Sequence, residues 1–416
     1  MHGPTALRVA TFVLFSLLAN GYVFGVADHG IHLVFVDRLL HREAWAGDLL
    51  ALAADHHPTV LWWIEAAAGR VLGLPTAFLL LHLLSLAATG LAIDLLVARI
   101  GGSTRAAMAA LLLLAPAQFA LGGVATLDPL LLPRTAALPL ELFALVALLD
   151  RRRWTAFALL GVAACIHAPS AAGLSVAAVF VLLREPKLSW RKRLLPPLAF
   201  FVASAPVLVI WTTGGDLSSS LSPMEPAWLA IVESRLSHHL VPASWPLSEW
   251  LWMGAWMVGG HVAFHSSVRL QEAAPFVRGL LAGLILWCLL GGTLLARALD
   301  LALALQLEPW ECCRFLTLLV GVLIAVRLGE VMVPWRVERV ALALGAVAIL
   351  ALFVSRASLG TEGRWLPDGS DGPERELAEW VADNLPPHAV VAWPPHAFHE
   401  QRWRSRRRGT PLWRDG

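Results

Sequence analysis

The feature that most restricts this chain is repetition: apolar runs recur along almost its whole length, separated by short segments that hold most of its charge. A helix crossing a bilayer core needs roughly 20 apolar residues, because in hydrocarbon only internal hydrogen bonds satisfy its backbone. Composition agrees. Of 416 residues 57% are hydrophobic and 15% charged, whereas soluble domains carry about 25% charge. The expected fold is an all-α integral membrane bundle of about 11 transmembrane helices (9–13), with spans near 6–26, 75–98, 106–122, 136–149, 154–168, 170–184, 194–212, 250–266, 279–297, 313–327 and 338–355. The first run is long enough to span, so an uncleaved first span is preferred to a signal peptide ending near Gly25-Val26-Ala27.

Lysine and arginine are retained on the cytoplasmic side of short loops. Arg99 and Arg105, Arg151 to Arg153, Arg184 to Arg193, Arg269 and Arg278, and Arg327 to Arg339 fall in alternate loops. Those loops are expected inside, with outer loops at 27–74 and 213–249, a cytoplasmic N-terminus and residues 356–416 outside. Thr59 to Pro75, with Trp62, Trp63, Glu65 and Arg70, reads as an interfacial helix with aromatic anchors. Residues 213–249 read as a partly ordered lid with a helix over Pro226 to Leu240. The transmembrane domain thus covers 1–355. The remainder is a small extracytoplasmic α/β tail, with an amphipathic helix over Pro373 to Asn384 and a strand over Ala389 to Trp393.

The net charge of +2 gives no reason to expect nucleic acid. Cys165, Cys288, Cys312 and Cys313 lack zinc spacing and read as small membrane residues. Polar density peaks in the first outer loop. Asp37-Arg38 and His41-Arg42-Glu43 fit the solvent face of a short helix, whereas Asp28 sits where the first span emerges. Asp55-His56-His57 either cap the aromatic helix or, with Asp28, ligate a divalent metal. Within the spans lie Asp94, Glu141, His82, His167, His261 and His265, and Arg314 stands near an outer span end. Histidines inside a bundle usually bond between helices. His167, beside Pro169 and Ser170 where two short helices meet, is placed to face an outer cavity. An arginine fork suits a phosphate, with an ion pair to Glu311 or snorkelling to the headgroups as the alternative for Arg314.

This layout, with Asp28 after the first span, a long first outer loop, many spans and an outer C-terminal region, resembles the GT-C superfamily of membrane glycosyltransferases. More narrowly, Tyr22 to His29 with Ala46-Gly47-Asp48, and Glu379 to Pro386 leading to Trp393-Pro394-Pro395, look like a bacterial family of polytopic membrane proteins of GT-C-like architecture. The resemblance implies transfer of a sugar from a polyprenyl-phosphate donor to a glycan, lipid or protein acceptor at the outer face of the plasma membrane. It implies Asp28 as the base on the acceptor hydroxyl and Arg314 on the donor's lipid phosphate. His29, Asp55, His56 and His167 are the further expected substrate contacts. The acidic first-loop pair usual in that superfamily is Asp28-His29 here, and the tail is short.

No glycine-rich phosphate loop occurs, so no nucleotide cofactor is expected. A divalent metal stays an open alternative. Two other classes compete: a non-catalytic scaffold that keeps a GT-C-like fold, and a transporter. The prolines at 116, 133, 169 and 206 show no matching repeat in the second half, which counts against transport.

Overall fold

The computed structural model describes residues 3–25, 28–57, 59–185, 188–213, 219–331, 373–386, 389–391 and 408–409. The chain divides into two compact units, Met1–Asn20 with Ser85–Asp128 and Ala137–Thr361, and Gly21–Leu84 with Pro129–Ala136 and Glu362–Gly416. Among the described residues four helical stretches are long and apolar enough to cross a membrane: Leu74–Arg99, Trp190–Thr213, Ala274–Ala298 and Ala302–Val331. Several shorter apolar helices accompany them, as a membrane protein requires. The span expected over 338–355 lies outside the described residues.

In the first unit the helices Thr104–Leu114, Arg153–Ile166, Ala168–Leu183, Leu198–Thr213, Leu247–Ser266, Ala274–Trp287 and Cys313–Val331 surround one apolar core. Its charged loops meet at one end. Arg99 pairs with Asp150 at 2.5 Å, Arg153 with Glu185 at 3.1 Å, Arg269 donates to the Gly101 carbonyl at 3.2 Å, and Ser267 donates to Glu330 at 2.7 Å. The opposite end is rich in aromatic side chains. There Trp245 sits edge-on to Trp310 at 5.2 Å, and the His239 ring donates to the Gly122 carbonyl at 2.5 Å. The basic loops of the first unit thus gather at one end.

Helices in a membrane gain little from burying apolar surface, which lipid solvates equally well, so close backbone approach carries the association. Gly279 and Gly283, one turn apart, lie against Val181 and Ala177; a Cβ on Gly283 would stand 2.5 Å from the Ala177 Cα. Gly283→Ala is expected to force the two helices apart and cost about 1–3 kcal/mol, read as a lower midpoint in detergent unfolding. An unchanged midpoint would show that this contact is loose.

Three expected elements differ. The helix at the first span stops at Asn20, because Gly21 takes a left-handed φ of 75°, and the Asn20 side chain binds the Ala115 carbonyl and the Ala117 N–H. The span expected over 106–122 ends at Leu114. Pro116 breaks it, and Phe119–Ala120 then pairs antiparallel with Val124–Ala125 around Gly122 and Gly123, both of positive φ. The lid helix is shorter than expected, ending at Arg235 before a separate turn Ser237–Leu240. It does dock, with Leu229 and Val232 against Leu240, Ala296, Ala304 and Leu305.

In the second unit the segment expected as the first outer loop is largely helical: Asp28–Leu40, Leu49–Ala53 and Leu61–Leu72. Asp48 caps the second by accepting from the Ala51 N–H at 3.0 Å. Asp37 is not on a solvent face. It is 1% exposed and accepts from the indole of Trp45 at 2.9 Å, since Trp45 folds back and buries it. Arg38 is likewise drawn inward, onto Asp55. The tail helix forms over Pro373–Asn384, and Val390–Val391 pairs in parallel with Arg408–Gly409.

Candidate functional site

A cluster of buried charge lies in the first unit toward the end opposite its basic loops. His167, extended at φ −148°, separates the helices Arg153–Ile166 and Ala168–Leu183, because Pro169, in the first turn of the second, has no N–H with which to continue the first helix's hydrogen-bond ladder. Glu141 lies inside Pro133–Leu149, and Glu311 and Arg314 bracket the start of Cys313–Val331. These elements bring five polar side chains together. Arg314 donates to Glu141 at 2.9 Å and lies 3.7 Å from Glu311. Ser170 donates to the other Glu141 oxygen at 2.5 Å and meets His167 Nδ1 at 2.9 Å. His167 in turn lies 3.7 Å from Glu311.

Glu141, Glu311 and Arg314 are each at most 3% exposed, while the His167 side chain keeps 20%, so the cluster opens outward only through the imidazole. Two carboxylates around one guanidinium leave an excess negative charge unless His167 or one of the two carboxyls carries a proton. A phosphate would have to displace a carboxylate to reach Arg314. Of the alternatives open for this residue, the ion pair is the one formed, chiefly with Glu141 and secondarily with Glu311. A second intramembrane acid, Asp94, is matched the same way by Arg8 at 2.7 Å.

In the second unit Asp28 is exposed and is the first residue of Asp28–Leu40, where a carboxylate complements the helix dipole. Its neighbour His29 is fully buried. His29 Nε2 donates to the Leu131 carbonyl at 2.8 Å, and Nδ1 accepts the Gly25 N–H at 3.3 Å. Phe24 and Phe78 stand edge-on to the ring. With both nitrogens engaged, His29 fastens the chain beneath Asp28 and offers no group to a ligand. Asp55, though 63% exposed, is held bidentately by Arg38 at 2.9 and 3.0 Å, and His56 is exposed in the turn Ala54–His56. Among the described residues no group of three or more His, Cys, Asp or Glu side chains is arranged to hold a metal ion.

Sequence reading passed over one residue of this unit. Glu65, on the aromatic helix Leu61–Leu72, is 1% exposed, and its carboxyl is pushed well above its ordinary 4.5 by burial. Burial acts oppositely on His29, lowering it from 6.5 to about 3. Folded Glu65 keeps a proton that the unfolded chain loses above pH 4.5, so its contribution falls as pH rises. Folded His29 refuses a proton that the unfolded chain takes up below pH 6.5, so its contribution falls as pH drops. The two effects cancel between those values. Stability of this unit is expected to be flat from about pH 4.5 to 6.5 and to decline on both sides. Glu65→Gln should remove the alkaline decline in pH-resolved thermal melts; a decline that persists would refute the assignment.

No family model matches the chain, and no curated protein matches it.

Proposed function

We propose that the chain is a membrane glycosyltransferase of GT-C type, moving a sugar from a polyprenyl-phosphate donor to an acceptor hydroxyl at the outer face of the plasma membrane. The supporting observation is the setting of Asp28, an exposed carboxylate at the head of a helix and mounted on the buried, doubly bonded His29. A general base has to reach the hydroxyl it deprotonates while staying fixed in direction, and this mounting serves both needs. In this reading the charged loop end of the first unit faces the cytoplasm, by the positive-inside rule, and the end carrying His167 faces outward. The count of 11 spans and the outer placement of the tail belong to the same proposal. His167, as the accessible edge of the buried cluster, is the contact this reading retains at that end; Arg314 keeps the bundle's charge in balance.

The test is transfer from a panel of radiolabelled polyprenyl-phosphate sugars by purified protein in lipid, with Asp28→Asn alongside. Transfer by wild type that is lost in the variant supports the enzyme. No transfer from any donor by folded protein favours the second reading, a non-catalytic scaffold of the same architecture. The closed state of Arg314 supports that second reading, since a guanidinium committed to two carboxylates holds helices together without any substrate.

A further inference from the structure

A groove of about 180 Å³ runs between Leu247–Ser266 and Ala274–Trp287 and is floored by Cys313–Val331. Its character is split. Val277, Val320 and Leu323 make the floor apolar, and the lining polar groups are His261, His265 and Arg278. All three are exposed. One helical turn places the two imidazoles on one face with centroids 4.4 Å apart, and the Arg278 guanidinium is steadied 5.6 Å from the Phe264 ring centre. Among the described residues no acidic side chain lines the groove. Glu272, at the end of the short helix Val268–Glu272 between the two, is not part of it, and Glu330 is engaged by Ser267 and Arg327. The sequence reading of His261 and His265 as bonds between helices is therefore replaced by outward-facing rings.

We infer that this groove binds an anionic phospholipid, its phosphate between Arg278 and the two histidines and an acyl chain along the apolar floor. Three observations fit that occupant. Among the described residues the lining carries the Arg278 guanidinium and no carboxylate, which suits a phosphodiester. Val258 and Val262, on the same helix, are 65% and 59% exposed, so the surface continuing from the groove is the kind that acyl chains cover. Arg278 and Arg269 also stand at the charged loop end, where headgroups of an anionic leaflet meet basic pockets between helices. A free inorganic anion would gain nothing from the floor, and a neutral lipid nothing from the rim. The inference is independent of Asp28 and of any transferase activity.

The full-length protein, purified in a neutral detergent, is titrated with fluorescent phosphatidylglycerol and then with unlabelled competitors. Phosphatidylglycerol is expected to compete, and phosphatidylcholine and inorganic phosphate are not. Arg278→Gln should weaken binding about fivefold, the contribution expected of one basic side chain at a lipid surface. His261→Gln/His265→Gln should weaken it further, Arg278→Lys should retain most of it, and Arg191→Gln, elsewhere on the charged end, should leave it unchanged. Melting curves in phosphatidylcholine verify that each variant is folded. Equal competition by phosphatidylcholine, displacement by inorganic phosphate, or an Arg191→Gln loss as large as that of Arg278→Gln would each overturn the assignment.

Discussion

Replacing Arg314 with methionine is expected to destabilise the protein by about 3–5 kcal/mol, the usual penalty for breaking a buried ion pair from one side. The magnitude follows from what is left behind. Glu141 is fully buried and Glu311 is 3% exposed, so removing the guanidinium strands two carboxylates in an apolar bundle. Dispersion gained by a methionine in the same space is far smaller than that desolvation. Glu141→Leu combined with Arg314→Met removes charges of both signs and should recover part of the loss, with a coupling of about 0.5–3 kcal/mol in a double-mutant cycle. The measurement is unfolding in mixed micelles, with helical content as the signal. If Arg314→Met unfolds at the wild-type midpoint, the cluster is hydrated in the membrane, and the bond to Glu141 is not holding the helices.

Asp28→Asn is expected to lower glycosyl transfer by about 10²- to 10⁴-fold, the range over which a positioned general base contributes. The same substitution should hardly affect folding. Asp28 is exposed, and losing its charge beside the helix dipole costs only about 0.3–1 kcal/mol. A large loss of rate with an unchanged melting curve is thus the signature of chemistry. His29→Ala supplies the contrast: it removes an acceptor from the Gly25 N–H and a donor from the Leu131 carbonyl, so melting and transfer should fall together. If Asp28→Asn retains full transfer, the base lies elsewhere and the resemblance at this position is misleading.

Much of the fold was legible because it rests on local periodicity and composition. Apolar runs with little charge marked the helices around Leu74–Arg99, Ala168–Leu183 and Cys313–Val331, and Pro169 marked the break at His167. The tail helix Pro373–Asn384 was readable to the residue, since its apolar positions and the Pro386-Pro387 stop are both local signals. The span expected over 106–122 failed where hydrophobicity alone was read: its window counted Pro116 and Gly122 as neutral, while the backbone treats them as a stop and a turn.

Pairing was a different matter. Glu141, Ser170, His167, Glu311 and Arg314 span more than one hundred and seventy positions of sequence, and each taken alone is a polar residue in an apolar run. Arg314 was open to a phosphate or to an ion pair, and only packing decided it, by bringing Glu141 within 2.9 Å. Asp37, Arg38 and His29 show the same limit on a smaller scale. A short polar helix has a solvent face only if nothing folds onto it, and Trp45, Asp55 and the Leu131 carbonyl do. The sequence by itself determined that this chain forms apolar helices with its basic loops in alternation, because hydrophobicity and backbone hydrogen bonding act over one or two turns. The tertiary structure alone decided which charges pair with one another, which histidines are exposed and where the cationic groove opens, because those depend on distances between residues that the chain order keeps far apart.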